Sequence, residues 1–194
     1  MSDGIVKYSV LASTDSAIIV EVLHTKLLKK HKYVLSFDDF TGELYYVQNH
    51  PEKSRLTLEV AAPSITCRDR RLSTAKQRRV AKYVRDLVLN ATAPSTIRFS
   101  SRQISAKALR GFAVEGMLTV RGTQRPLKMN AIFAAPSADQ LEVEGDFIFQ
   151  FSEFGFKTPS SLFGMSKIED QALVQFHMHA ARAKETDEAA AASS

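Results

Sequence analysis

The sequence predicts an all-β fold with one helical insertion, an eight-stranded antiparallel β-barrel carrying an amphipathic basic helix. Three observations lead there. Apolar and polar residues alternate in short blocks separated by turn residues, the pattern of antiparallel strands with one buried face. About eight such blocks occur, enough for a sheet to close on itself and lose its exposed edges. One stretch in the middle of the chain switches to helical spacing.

In the first block, SAIIVEVLHT, Ile18, Val20 and Val22 share one face and Ile19, Glu21 and Leu23 the other. KYVLSFDDFTGELYYV follows, with Tyr33, Leu35 and Phe37 on one face. Gly42 marks an expected bend or bulge, beyond which come Leu44 and Tyr46. After the polar loop QNHPEKS, RLTLEV adds Leu56, Leu58 and Val60. From Thr74 the apolar residues Val80, Tyr83, Val84, Leu87 and Val88 fall at helical spacing, and Thr74 with Gln77 forms a capping box, so a helix is expected over 74–90.

The strand pattern resumes after Pro94 with TIRFSSRQIS, GFAVEGMLTVRG, PLKMNAIFAA, QLEVEGDFIFQF and QALVQFHMHAA. In the third of these Leu127, Met129, Ala131 and Phe133 share a face. In the fourth Leu141, Val143, Phe147, Phe149 and Phe151 lie opposite Glu142, Glu144 and Asp146. The inward set expected to contact a ligand is Val20, Val22, Tyr33, Leu35, Phe37, Leu58 and Phe99, then Val114, Leu118, Met129, Phe133, Phe147, Phe149 and Phe151, with small Gly116 and Ala131 among them. Barrels of this size either fill with side chains or hold one slender ligand, so parity alone leaves a solid core open.

Composition bounds the rest. The 194 residues, 44% of them apolar, fit one domain over 1–182 with a tail, 183–194, expected to be disordered. Cys67 is the single cysteine, which excludes an intramolecular disulfide, a zinc cluster and a CxxC redox pair. The polar start MSDGIVKYSV lacks the layout of a secretory signal, giving a cytoplasmic expectation. No run approaches the roughly 18 apolar residues of a membrane-spanning helix.

Charge is uneven. Eight basic residues over 67–85 face only Asp69, so that segment carries +7 of a chain whose total is +5. Its exposed cations read in three ways: a solvated helix face, a guide for an anionic lipid head group or leaflet, or a nucleic-acid contact, although no base-reading fold is evident and no specific nucleic acid is expected. Arg68, Arg70, Arg79 and Lys82 are the candidate head-group or surface contacts, together with His31. His177 and His179, two apart on a strand beside inward Val174, Phe176 and Met178, are expected to face outward, with no further metal ligand placed near them. No nucleophile elbow, carboxylate pair or phosphate-cradling glycine loop occurs, and no cofactor or catalytic residue is expected.

Several blocks, in order, resemble the YceI family. GMLTVRGTQRPLKMNAIF at 116–133 resembles its strand-turn-strand pattern G-x-L-T-x-x-G-x-x-x-P, GDFIFQFSEFGF at 145–156 its late strand, and FDDFTGEL at 37–44 its F-x-x-F-x-G element. PSITCRDRRL and STIRFSSRQI stand where that family has Ser-Ile-x-T and I-x-F-x-S segments. The resemblance covers about residues 8–182. One departure is the basic helix, leading to Ala93 and Pro94, where relatives carry an acidic and aromatic stretch ending in Tyr-Pro.

The resemblance implies a lipocalin-like barrel and noncatalytic binding, storage or transport of a long-chain lipid, whether a polyisoprenoid, an isoprenoid quinone or a fatty-acid derivative, in an apolar tunnel. It also implies His31 near a barrel end and a chain able to pair as a homodimer. The alternative is an interaction module with a solid core, whose basic helix docks an acidic protein or nucleic acid.

Overall fold

The structure, a computed structural model, describes residues 4–13, 15–26, 29–47, 50–90, 95–107, 111–137, 139–156 and 166–183. The tail beyond 183 and Pro94 lie outside the described residues. In chain order the strands are β1 (Ile5–Leu11), β2 (Ala17–Lys26), β3 (Lys29–Phe37), β4 (Phe40–Val47), β5 (Arg55–Ala61) and β6 (Ile65–Cys67), then β7 (Thr96–Ala106), β8 (Gly111–Val120), β9 (Thr123–Ser137), β10 (Gln140–Gln150) and β11 (Ser166–Arg182). Helix α1 (Thr74–Tyr83) and a π-helical turn, Val84–Val88, stand between β6 and β7.

These eleven strands make a ring of eight. Every pairing is antiparallel, and β1 against β11 closes the sheet. Along its length β11 pairs first with β2, from Ser166 to His177, and then with β1, from Ala180 to Arg182. β1 and β2 are therefore two halves of one barrel strand. β4 lies on β1 and β3 on β2, while β5 lies on β4 and β6 on β3, so the next two positions are split in the same way. β7 to β11 supply the other five as an up-and-down meander.

The expected irregularity in the second strand is displaced. Register runs unbroken through Gly42, which pairs with Val10 on one side and Leu58 on the other. A Cβ at Gly42 would meet the Thr57 carbonyl at 2.9 Å, so glycine serves close strand approach there rather than a bulge. The break falls at Asp38 and Asp39, poor strand formers whose side chains and carbonyls offer the backbone other partners. Asp38 accepts bonds from Ser36 Oγ at 3.2 Å, Thr66 Oγ1 at 3.0 Å and Arg68 Nη2 at 2.8 Å, and the Asp39 carbonyl accepts the Ala61 N–H at 3.0 Å. β1 is a strand that the block reading passed over.

The helix also departs from expectation at both ends. Ser73 is its N-cap residue, and the Thr74–Gln77 box is not made. Gln77 Nε2 instead donates to the Asp69 carbonyl at 2.9 Å, tying the first turn to the preceding loop. At the other end the Leu89 N–H donates to the Val84 carbonyl at 2.8 Å, a five-residue step. That wide turn stacks Leu89 over Val84, burying it to 8% exposure, and rotates Leu87 outward to 69%. α1 packs against β6, which pairs on one side with β3 and among the described residues has no second strand partner.

Candidate ligand cavity

A cavity of about 190 Å³ occupies the barrel between the packed end and α1. Its wall comes from inward positions of nearly every strand, and Val80, Val84, Val88 and Leu89 close it from the helix side. Among the lining side chains only Tyr33 carries an oxygen or nitrogen. A void lined this way stays dry, and one of roughly 150 Å³ already accepts a small hydrocarbon. Two glycines shape the wall. A Cβ at Gly116 would come 2.7 Å from the Phe99 ring, and one at Gly145 would come 2.4 Å from the Phe176 ring. Each glycine leaves room for an aromatic ring to lie against the opposing strand.

Of the inward set expected from sequence, Val20, Val22, Tyr33, Leu35, Phe37, Leu58, Phe99, Leu118, Met129, Phe147, Phe149 and Phe151 line the cavity. Val114 and Phe133 do not. Val114 and Ile104 are fully buried, and with Leu141 and Tyr8 they pack the barrel end farther from α1. Phe133 stacks on Phe112 at 4.6 Å near that end. The space is therefore a cavity filled at one end rather than a tunnel running through. Parity gives the face of a strand but not the depth along the barrel axis, so these two inward residues stand outside the cavity lining.

At the α1 end Phe149 sits among Phe154, Phe151 and Phe156, with ring centroids 4.8, 5.3 and 6.1 Å away. Arg121, in the tight turn between β8 and β9 with φ 50°, lies over the Phe156 ring and donates to the Val88 carbonyl at 3.2 Å. It thereby straps the π turn to the barrel rim.

A polar group adjoins this end. His24 continues the inward face of Val20 and Val22, pairs with His31 across the β2–β3 ladder, and is buried to 7%. Its ring stacks on Tyr33 at 4.2 Å and lies 5.4 Å from exposed His31. The block reading missed His24, although the period-two face pointed to it. Burial pushes the Tyr33 phenol up from its ordinary pKa and keeps it a hydrogen-bond donor at neutral pH, and burial likewise raises the Cys67 thiol. Asp69 is buried beside them. Its hydrogen bond from Arg71, at 2.9 Å, holds the carboxyl below its usual range.

The other head-group candidates gather at the same end. Arg68 is engaged by Asp38 at 2.8 Å, and Lys82 is paired with Asp86 one turn on, which Arg85 also reaches at 3.0 Å. Arg70 and Arg79 are exposed. On the outer wall, His177 Nδ1 lies 2.7 Å from Glu144 and its Nε2 is 2.9 Å from Nε2 of His179. Among the described residues no group of three or more potential ligands could hold a metal there or elsewhere.

Comparison with known proteins places this geometry in context. A family model described as the YceI-like domain matches residues 10–180. Among solved structures, Burkholderia cenocepacia BcnA is similar at 15% identity and TM-score 0.65, over 84% of this chain and 95% of its own. A polyisoprenoid binding domain from Saccharophagus degradans, implicated in plant cell wall breakdown, is 12% identical at TM-score 0.67, over 90% and 98%. A Campylobacter jejuni YCEI protein is 14% identical at TM-score 0.60, over 78% and 85%. No curated protein sequence matches the chain. At these identities the solved structures establish the barrel fold.

Proposed function

Because this chain belongs to the YceI-like domain family, we propose that it is a noncatalytic carrier holding the tail of one long-chain lipid in the barrel. The observation that carries this is the cavity, lined by apolar side chains throughout except for the Tyr33 hydroxyl. A buried methylene contributes about 0.8 kcal/mol, so ten buried carbons offer roughly 8 kcal/mol before ordering of the flexible ligand is subtracted. That margin is compatible with micromolar binding.

The packed end at Ile104 and Val114 favours a single orientation, tail toward those residues and polar end beside Tyr33. A polyisoprenoid, an isoprenoid quinone or a fatty-acid derivative fits this description, and the polyisoprenoid is supported by the printed description of the Saccharophagus domain. Storage or transport follows from carriage without chemistry. The existence of a cavity argues against the solid-core interaction module.

Native mass spectrometry of freshly purified protein, followed by organic extraction, tests the reading. A discrete added mass that extracts as a long-chain lipid is expected. A bare protein mass that persists after incubation with polyprenyl and fatty-acyl lipids would overturn it.

A further inference from the structure

We propose that the α1 end of the barrel docks on a bilayer surface containing anionic lipids, with the outer face of α1 and its π turn as the contact. The proposal extends the lipid-carrier reading and rests on it for what would cross the interface, but its own support is separate. Two independent features meet on this surface.

The first is charge without compensation. Buried Asp69 is held by exposed Arg71, Asp38 is engaged by Arg68, and Asp86 is shared by Lys82 and Arg85. These three acids are thereby occupied by cations of the same end. Arg70, Lys76 and Arg78 are exposed and make no ion pair among the described residues. Exposed basic side chains without ion-pair partners are what the negative potential of an anionic leaflet attracts.

The second is an apolar side chain in the wrong place for water. Continued α-helical spacing would carry Leu87 toward the barrel with Val80 and Val84. The five-residue step from Val84 to Leu89 turns it out instead, to 69% exposure, at the C-terminal end of the helix whose first turns carry Lys76 and Arg78. Exposed cations and an exposed leucine on one helix match an interfacial helix, in which charge steers and the apolar side chain inserts below the head groups. A nucleic-acid duplex or an acidic protein would use the cations, yet would leave Leu87 unexplained. The inner side of the same helix lines the cavity through Val80, Val84, Val88 and Leu89, so the surface that meets the bilayer is also the cover over the lipid space.

Co-sedimentation with vesicles tests this, comparing phosphatidylcholine alone with phosphatidylcholine containing one third phosphatidylserine. Binding is expected only with phosphatidylserine and is expected to weaken steeply as salt shortens the range of the attraction. The double variant Lys76→Ala/Arg78→Ala should bind about 25-fold more weakly, counting about fivefold per cation near the surface. Leu87→Ser should lower binding by at least about fivefold at low salt, the scale of a partly inserted leucine. Lys128→Ala, an exposed cation on the side wall, is the matched control and should change nothing.

Equal binding to both vesicle types, unchanged binding by the double variant, or unchanged binding by Leu87→Ser would each overturn the proposal. So would capture by duplex DNA or an acidic protein without capture by vesicles. Native mass spectrometry of the same preparation separates the two readings. Protein that carries lipid but ignores vesicles loses the docking surface alone, whereas protein that binds vesicles but never carries lipid loses the carrier reading alone.

Discussion

A pair of valine-to-threonine substitutions separates the cavity wall from the packed end. Val174, 7% exposed on β11, lines the cavity, whereas Val114, fully buried on β8, lies in the packed end. Each substitution keeps the shape of the side chain and exchanges one methyl for a hydroxyl. Without a partner that hydroxyl costs roughly 1–3 kcal/mol. Both variants should therefore melt lower, by about 2–4 °C for each kcal/mol in a chain of this size. Their effects on binding should diverge. At Val174 the hydroxyl faces the lipid tail, and a 1–3 kcal/mol loss corresponds to roughly 5- to 150-fold weaker affinity. At Val114 it faces only protein, and affinity should hold. Displacement of a fluorescent fatty-acyl probe, read beside thermal melts of both variants, gives the comparison. Equal loss of affinity at the two sites, or none at Val174, would mean that the tail does not lie along the wall assigned to it.

Two further outcomes follow from local geometry. Gly145→Ala places a Cβ 2.4 Å from both the Asn130 carbonyl and the Phe176 ring, and because the carbonyl belongs to the neighbouring strand the ring alone cannot relieve the clash. Overpacking of this kind costs about 1–3 kcal/mol, so calorimetry should show a melting point lower by roughly 2–12 °C, while Gly4→Ala, with open space around it, should not move. Asp69 gives a pH dependence. Its folded-state pKa is depressed by the Arg71 hydrogen bond, so its contribution is complete above the unfolded value of about 4 and disappears as pH falls through the lower folded value. Acid titration of thermal stability should show this loss in wild type and a reduced slope over the same window in Asp69→Asn. An unchanged slope would remove Asp69 from the acid response.

The barrel was legible because a strand half-buried in a closed sheet repeats every two residues, and long runs such as Phe147, Phe149 and Phe151 leave little room for another assignment. The half strand Ile5–Leu11 is the short signal: it is separated from the legible block Ala17–Lys26 between Leu11 and Ala17, and only their shared partner β11 reveals the two as one barrel strand. Gly42 attracted attention as a bulge because glycine weakens strands, yet the demand came from β5 pressing close. A reason that lies on the neighbouring strand is invisible in local sequence. Val114 and Phe133 lie on the inward face but differ from the lining residues in depth along the axis, which parity does not encode, whereas His24 follows from the same parity as Val20 and Val22.

The helix marks the boundary between what pattern can and cannot supply. Val80, Val84, Leu87 and Val88 are compatible with an uninterrupted α-helix that buries all four, and nothing in the residue types announces a π turn. The turn is compatible with what surrounds it: Leu89 reaches the cavity, Arg121 takes the Val88 carbonyl, and Leu87 is left to the outside. An exposed leucine adds apolar surface in water. Its position on the same helix as Lys76 and Arg78, which are exposed and make no ion pair among the described residues, fits a surface that meets lipid. The same slip in helical phase that spoils the sequence pattern is what gives this end of the barrel an apolar contact on each side of one helix, Leu89 toward the cavity and Leu87 away from it.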